Sequence, residues 1–241
     1  MIEKLMSVFN YIYRKAFIKR LIKGGASVGK HSKIYDPLHS KIDMSRPWLL
    51  KIGDYTLITS GVTILTHDYS LSTIRRVYGE WIGEGAEVVI GDNCFIGMNA
   101  TLLMGTRLGN NVIVGAGSVV HGKFPDNVVL AGNPAKVICT LEEHYHRRKE
   151  KTIYEAIECV QVYYKRMGKY PKPKELENFK FLFCPRDEKT VRQYGFNFNC
   201  SGDNVKEVEE EFYNSKPFWK NYDDFLSAAG IVLDSTGKEA D

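Results

Sequence analysis

An aliphatic residue recurs at every sixth position in the middle of this chain, and this period constrains the fold more than any other feature. The matching positions are Ile90, Ile96, Leu102, Leu108, Val114 and Val120. The same spacing occurs earlier at Ile52, Ile58 and Ile64, after a fainter start at Val28 and Ile34. Helices and strands repeat every ~3.6 and ~2 residues, so the pattern is typical of neither alone.

A six-residue period suits a three-sided coil in which each side takes six residues and points one aliphatic side chain inward. Stacked coils bury a continuous aliphatic column that no single coil could bury alone. Glycine often follows the aliphatic residue, and we expect it to supply the backbone angles that turn each corner. These glycines are Gly53, Gly91, Gly97, Gly109 and Gly115. The sequence therefore predicts a mainly β solenoid over residues 24–139.

The period breaks between Ile64 and Ile90, whose spacing is not a multiple of six. The intervening segment contains His67, Arg75 and Trp81 among other polar, cationic and aromatic residues. Loops that leave a rigid scaffold commonly carry binding and catalytic residues. We therefore expect the functional site to lie here.

The stretch IGDNCFIGMNATLLMGTRLGNNVIVGAGSVV (residues 90–120), followed by AGNPAKVI (residues 131–138), resembles the hexapeptide-repeat acetyltransferases. The resemblance extends from about Val28 to Ile138, a little under half of the chain. It implies a left-handed parallel β-helix that transfers an acetyl group from acetyl-CoA. It also implies a homotrimer whose active sites lie between neighbouring subunits.

The resemblance implies that His67, in the sequence ILTHD, is the catalytic residue. A neutral imidazole, with an ordinary pKa near ~6.5, can take the proton of an acceptor hydroxyl at neutral pH. The oxygen would then attack the thioester directly, without an acyl-enzyme. Asp68 is a candidate to orient the ring, although adjacent side chains often point apart. Candidate acceptor-binding residues are His39, Tyr69 and Trp81.

The resemblance also implies a CoA channel that is mostly backbone. The residues implied to line it are Phe95, Gly97, Met98, Gly115 and Ala116, with His121 beside it. Lys136 would meet the nucleotide phosphates. Many family members carry a Thr-Lys pair after GAGSVV, where this chain has His121-Gly122, so Lys123 is a second candidate cation. For Phe95, Met98 and Ala116, ordinary packing of the coil remains an alternative.

The N-terminal segment, residues 1–23, has helical spacing of apolar residues and six basic residues against Glu3. Such a helix either packs on its own domain or lies on an anionic membrane surface. Five cysteines without a CxxC pair read as reduced thiols of a cytoplasmic protein. No apolar run approaches the ~18 residues of a membrane span. A net charge of +4 with an acidic C-terminal tail argues against nucleic acid as a partner.

Residues 140–241 lose the six-residue period and form a mostly helical C-terminal extension. A helix is expected to end at Gly168, a second to contain Val205 to Phe212, and a third to be capped by Asn221. The apolar stretch at 179–183 predicts a strand. The extension either covers the open end of the solenoid or forms an acceptor-binding wall. The aromatic residues considered for that wall are Tyr163, Tyr164 and Trp219.

The sequence thus predicts an acetyl-CoA-dependent O-acetyltransferase acting on a sugar of a surface polysaccharide or its precursor. An alternative is N-acetylation of a xenobiotic or an amino sugar. A zinc lyase on the same solenoid would need three histidines at one metal, whereas only His67 and His121 lie near the coils, so no metal is expected. A solenoid that only binds a ligand is a further alternative, which a thiol-release assay with acetyl-CoA would separate from an enzyme.

Overall fold

The structure is a computed structural model that describes residues 2–198 and 205–230. The chain divides into two compact units, the first ending at His144 and the second beginning at Tyr145. No helix in these two described ranges is long and apolar enough to cross a membrane. Cys94, Cys159 and Cys184 are free thiols, whereas Cys200 lies outside the described residues.

The first unit contains fifteen short strands and two helices. The helices are α1 (Ile2–Lys23) and α2 (Leu71–Tyr78). The strands are β1 (Ser27–Val28), β2 (Lys33–Ile34), β3 (Lys41–Ile42), β4 (Leu50–Ile52), β5 (Leu57–Ile58), β6 (Thr63–Ile64), β7 (Val88–Ile90), β8 (Phe95–Ile96), β9 (Thr101–Leu102), β10 (Arg107–Leu108), β11 (Ile113–Val114), β12 (Val119–Val120), β13 (Lys123–Phe124), β14 (Val128–Gly132) and β15 (Ala135–Thr140).

These strands form three sheets that the chain visits in rotation. The first sheet has the order β1-β4-β7-β10-β13, the second β2-β5-β8-β11-β14-β15, and the third β3-β6-β9-β12. From β4 to β14, each strand therefore pairs in parallel with the strand three places earlier, as the three-sided coil that the period predicts requires. Ile52 pairs with Ile90, so residues 65–87, here called the excursion loop, leave the coil and return in register. The antiparallel β14–β15 hairpin was not predicted.

The inward residues of the six-residue period form the core of this unit. Ile58, Ile96 and Val114 are fully buried, each directly above the last in the second sheet. Smaller side chains fill the positions between them, and two buried threonine hydroxyls among these donate to backbone carbonyls. Thr56 Oγ1 donates to Gly91 O over 2.8 Å, and Thr106 Oγ1 donates to Val120 O over 3.0 Å. These two buried hydroxyls of the coil are thus satisfied.

The glycines of the repeat do not turn the corners as expected, and that prediction is wrong. Gly53 and Gly91 do not adopt left-handed backbone angles. A Cβ on Gly91 would lie 2.3 Å from the Gly109 carbonyl oxygen of the next coil, so glycine is required for close approach. The left-handed positions at the corner between the first and second sheets hold His31, Tyr55 and three asparagines, including Asn111 with φ 56°. Asparagine tolerates this conformation, and Asn111 also bonds to Asn127 of the next coil through its side-chain amide.

Replacing Gly91 with alanine is expected to lower the free energy of unfolding by roughly 2–4 kcal/mol, because the added methyl group meets rigid backbone. Gly83→Ala is the matched control, since a Cβ at Gly83 meets no atom within 4 Å. Chemical denaturation of both variants measures the difference. Equal denaturation midpoints for the two variants would contradict this account of the repeat glycine.

The second half of α1 packs on its own unit. Leu21 is fully buried, and Phe17 and Ile18 pack against the aliphatic core of the coil. The chain leaves the helix through Gly24 and Gly25 and enters β1 with the buried Ala26. One face of the helix is therefore a structural part of the coil unit, while its opposite face is exposed.

The second unit is helical, and several of its predicted boundaries are confirmed. Its helices are α3 (Leu141–Met167, which starts at the end of the first unit), α4 (Glu188–Gln193), α5 (Val205–Asn214) and α6 (Tyr222–Ala228), with short 3₁₀ turns at Pro173–Glu175 and Lys180–Leu182. The side chain of Asn221 accepts from the Asp224 N–H over 2.9 Å and caps α6 as predicted. The strand predicted at 179–183 is wrong, because Leu182 N bonds locally to Phe179 O and the segment turns.

Several aromatic residues of the second unit build that unit's own core. Trp219 is only 7% exposed, and its ring centroid lies 4.8 Å from that of Phe225. Phe183 stacks on Phe225, also at 4.8 Å. Tyr164 stacks on Tyr170. Of the two alternatives for the extension, Trp219 gives no support to an acceptor-binding wall, because its faces are used inside the unit.

Candidate active site

The pairing of β3 with β6 places the start of the excursion loop beside the residue that follows β3. Ile42 pairs with Ile64, and the Asp43 N–H donates to Ile64 O over 3.0 Å. Thr66 and His67 come directly after this rung of the third sheet. His67 Nδ1 lies 2.5 Å from Asp43 Oδ2. The coil thus brings together two side chains that are 24 positions apart in the sequence.

Asp43 is held by several donors besides the histidine. The Ser45 N–H and Oγ donate to Oδ1 over 2.8 and 2.7 Å, and the Thr66 hydroxyl donates to Oδ2. Burial raises the pKa of Asp43, since its side chain is only 6% exposed. The hydrogen bonds from Thr66, Ser45 and His67 outweigh burial and hold the pKa well below its ordinary value. Asp43 is therefore an ionised carboxylate near neutral pH.

This ionised carboxylate determines the tautomer of His67. Because a carboxylate can only accept hydrogen bonds, Nδ1 must donate to Asp43. In the neutral ring the lone pair then resides on Nε2, the nitrogen that is left to a substrate. The arrangement can take up one proton at Nε2 and stabilise the resulting imidazolium through Asp43.

Asp68 does not orient the ring, and that expectation is corrected here. Its carboxylate accepts the Ser70 N–H over 2.7 Å and belongs to the local turn before α2. The orienting carboxylate is Asp43, which the sequence analysis missed. Its only sequence signal is its position after the strand residue Ile42, and Ile42 lies outside the six-residue register.

A cleft of about 530 Å³ opens beside His67. It is enclosed by the excursion loop, including α2, and by the segment after β3. Its lining residues include Ser45, Arg46, His67, Asp68, Tyr69, Arg75, Trp81 and Glu84. Arg46 Nη1 donates to Glu84 O over 2.7 Å, which ties the returning part of the loop to the coil.

Two aromatic residues that the sequence analysis named as acceptor-binding candidates, Tyr69 and Trp81, line this cleft. The Tyr69 ring meets the His67 ring edge to face, with centroids 4.7 Å apart. Arg75 lies over the Trp81 ring, with its guanidinium carbon 4.8 Å from the centroid. Trp81 is 89% exposed, so it offers an open aromatic surface. The helix α2 that carries Arg75 was not predicted.

The residues implied for the CoA channel lie elsewhere on the coil, along the second sheet and the corner that follows it. They are Phe95, Gly97, Met98, Gly115, Ala116 and Lys136. Phe95 and Met98 are 41% and 54% exposed, so neither packs inside the coil. Gly97 is required by the coil itself, because a Cβ there would lie 2.6 Å from Ala116 N. Lys136 is exposed on β15.

His121 follows the third sheet, at the same corner as His67 but two coils further along, whereas Lys123 is the first residue of β13 in the first sheet. Both are exposed. His39 lies at the corner between the second and third sheets, where its Nδ1 is 2.7 Å from Asp36 Oδ2. It does not line the cleft that contains His67. Among the residues that the structure describes, no group of three potential metal-ligating side chains occurs.

Comparison with known proteins places this architecture in a family. A family model described as the hexapeptide repeat of succinyl-transferase matches residues 87–121. Protein CapG of Staphylococcus aureus is 41% identical over 56% of this chain and 77% of its own length. Galactoside O-acetyltransferase of Escherichia coli K12 is 28% identical over 62% of this chain and 83% of its own. WbbJ of the same strain, provisionally named a lipopolysaccharide biosynthesis O-acetyl transferase, is 43% identical over 36% of this chain.

The extent of these matches differs between the relatives. The chain spans about half of the length of some curated relatives, including 48% of WbbJ, but more than three quarters of CapG. The matched family model covers the coils in which the period is most regular. The hexapeptide period, the three sheets that successive strands join in turn, and the CapG match agree with one another. The chain therefore belongs to the hexapeptide-repeat acetyltransferase family.

Proposed function

We propose that this protein is an acetyl-CoA-dependent O-acetyltransferase that modifies a sugar hydroxyl, and that its coil is the left-handed parallel β-helix. The observation that carries the proposal is the His67–Asp43 pair beside the cleft. An alcohol needs a base before it can attack a thioester, and this pair provides one with a defined tautomer. The names of the galactoside and lipopolysaccharide relatives support a carbohydrate acceptor.

In the proposed reaction, His67 Nε2 accepts the proton of the acceptor hydroxyl as its oxygen attacks the acetyl carbonyl carbon. The new C–O bond forms and the C–S bond breaks. The CoA thiolate leaves and recovers the proton from the imidazolium, so that free CoA and an acetyl ester are the products. Asp43 stabilises the imidazolium between these two transfers. No step requires an acyl-enzyme or a metal.

We further propose that the acceptor sugar binds against Trp81 and Tyr69. The apolar C–H face of a sugar ring packs well on an aromatic ring, and Trp81 is exposed at the cleft. The sugar would belong to a surface polysaccharide or its precursor. This acceptor class is supported by the relatives' names and by the aromatic lining of the cleft.

The proposal is tested by incubating the purified protein with acetyl-CoA and a panel of sugars and short glycans. The expected result is acceptor-dependent release of free thiol, with one O-linked acetyl group on the glycan by mass spectrometry and mild-base lability. If the acetyl group is stable to mild base and occurs only on amino sugars, the enzyme is an N-acetyltransferase and the proposed O-acetylation is wrong. If no acceptor gives thiol release, the proposed catalysis is wrong and the remaining alternative is a coil that only binds a ligand.

Lys136→Glu is expected to raise the KM for acetyl-CoA at least ~10-fold with a smaller change in kcat, because a phosphate contact far from the thioester binds ground state and transition state alike. Lys51→Glu, an exposed strand lysine of the first sheet, is the matched control. Steady-state kinetics against acetyl-CoA measure both. An unchanged KM for the Lys136 variant would transfer the role to Lys123.

We also expect a homotrimer in solution. The proposed channel residues and His67 lie at different corners of the coil, separated by a side of six residues, which is up to ~20 Å of extended chain. A neighbouring copy can bring the two corners together, and closed rotational symmetry repeats that contact. Light scattering should therefore give three times the 27.5 kDa subunit mass. A monomer with full turnover would contradict the shared site.

A further inference from the structure

The basic charge of this protein is concentrated at its N-terminal end. From Lys4 to Lys33 the sequence holds eight lysines and arginines and no acidic residue. The whole chain is close to balanced, with 33 basic and 29 acidic side chains. Most of this uninterrupted basic stretch lies in α1.

The described part of α1 has two distinct faces. Phe17, Ile18 and Leu21 face the coil core. The opposite face combines exposed basic residues with exposed apolar ones. These are Tyr11, Ile12, Lys15, Lys19, Arg20, Ile22 and Lys23. Because the inner face is anchored in the core, the outer face is held in a constant orientation on the coil unit.

The outer face lacks acidic partners of its own. Among the described side chains, those of residues 11–198 and 206–230, Lys15, Lys19 and Lys23 make no ion pair. Lys15 Nζ instead lies 4.4 Å from the centroid of the Tyr11 ring. Tyr11, Ile12 and Ile22 are 56%, 60% and 48% exposed. Both the charges and the apolar groups of this face are therefore available to a partner.

We propose that this outer face of α1 docks on the surface of an anionic phospholipid bilayer, with the helix lying in the plane of the interface. Lysine and arginine are attracted to anionic headgroups, and tyrosine and isoleucine insert at the boundary with the acyl chains. A nucleic acid would attract the same cations but would leave Ile12 and Ile22 without a role. The combination on one face favours the lipid surface.

Docking in this way would orient the proposed active site. α1 contacts β1 and β2 of the first coil, and Asp43 follows β3, the third strand of that same coil. The membrane-facing end of the unit thus carries one member of the His67–Asp43 pair. A lipid-linked acceptor would then reach the cleft while remaining in the bilayer. This consequence rests on the proposed function, whereas the lipid contact itself does not.

The test is co-sedimentation of the full chain with vesicles of phosphatidylcholine alone or with about a third phosphatidylglycerol, a share that gives an anionic surface potential. We expect binding only to the anionic vesicles and release at high salt, where the Debye length falls to ~3 Å. The variant K15E/K19E/K23E should lose roughly 100-fold in partitioning, because three basic residues leave the surface. The matched control K169E/K189E/K216E reverses three exposed lysines of the second unit and should bind as the wild type does.

Several results would overturn the proposal. Absence of binding to anionic vesicles would do so, as would an equal loss of binding in the control variant. A change of oligomeric state in K15E/K19E/K23E would identify the face as a subunit contact instead. Because these three side chains are exposed, the variant should keep the wild-type circular dichroism spectrum, and K15Q/K19Q/K23Q provides a milder substitution with the same expected direction. None of these readouts depends on acetyl transfer, so they fail or succeed independently of the proposed function.

Discussion

Replacing His67 with alanine is expected to lower kcat/KM for acetyl transfer by at least ~10²-fold, the scale of losing a general base. His67 is the only ring at the cleft whose Nδ1 is held by a buried carboxylate, among the residues that the structure describes. Without the ring, the acceptor and the thioester can still bind, but no group remains to take the hydroxyl proton. The initial rate of CoA release with a responsive glycan measures the effect.

His39→Ala is the matched control for this substitution. Like His67, His39 pairs through Nδ1 with an aspartate at a corner of the coil, but it lies outside the cleft. Its removal should leave turnover near the wild-type value. Partial recovery of the His67 variant by added imidazole would identify the missing group as a base. Near-normal turnover without His67 would rule out its proposed role.

Asp43→Asn is expected to lower kcat by roughly 10²–10⁴-fold while preserving the shape of the site. An asparagine side chain can donate to Nδ1, which places the proton on Nε2 and removes the lone pair from the cleft. Asp68→Asn is the matched control, because Asp68 neighbours His67 in sequence but bonds to the Ser70 N–H. A larger loss of kcat for Asp68→Asn than for Asp43→Asn would reverse the assignment.

The same substitution has a consequence for the pH dependence of stability. The pKa of Asp43 is lower in the folded protein than in the unfolded chain, since its hydrogen bonds outweigh burial. Its ionised form therefore stabilises the fold above the ordinary aspartate pKa, and this contribution is lost as the pH falls through the depressed folded value. Denaturation at pH 7 and at pH 3 should show a smaller difference between Asp43→Asn and wild type at the lower pH. If the stability difference between Asp43→Asn and wild type is the same at both pH values, the lowered pKa of Asp43 in the folded protein is contradicted.

Much of the coil could be predicted from the sequence because its core is built by a local rule. Each inward residue, such as Ile96 or Val114, occupies the same position on its own side of the coil. Helix boundaries in the second unit followed from equally local signals, as at Asn221, whose side chain accepts the Asp224 N–H at the start of α6. The segment 179–183 shows the limit of such signals. Its apolar residues suit a strand or a buried turn, and only the surrounding core decides between them.

For the site, the sequence by itself determined that His67 begins a loop leaving a regular repeat, and that Tyr69 and Trp81 belong to that loop. Tertiary structure decided which carboxylate holds the ring. Asp43 reaches His67 only because β3 and β6 stack in one sheet, and its strand lies outside the register that the sequence reveals. The stacking of coils also explains why position 91 is a glycine, since a side chain there would collide with the Gly109 carbonyl of another coil. Period and local propensity describe one coil at a time, whereas the site and the close approach arise between coils.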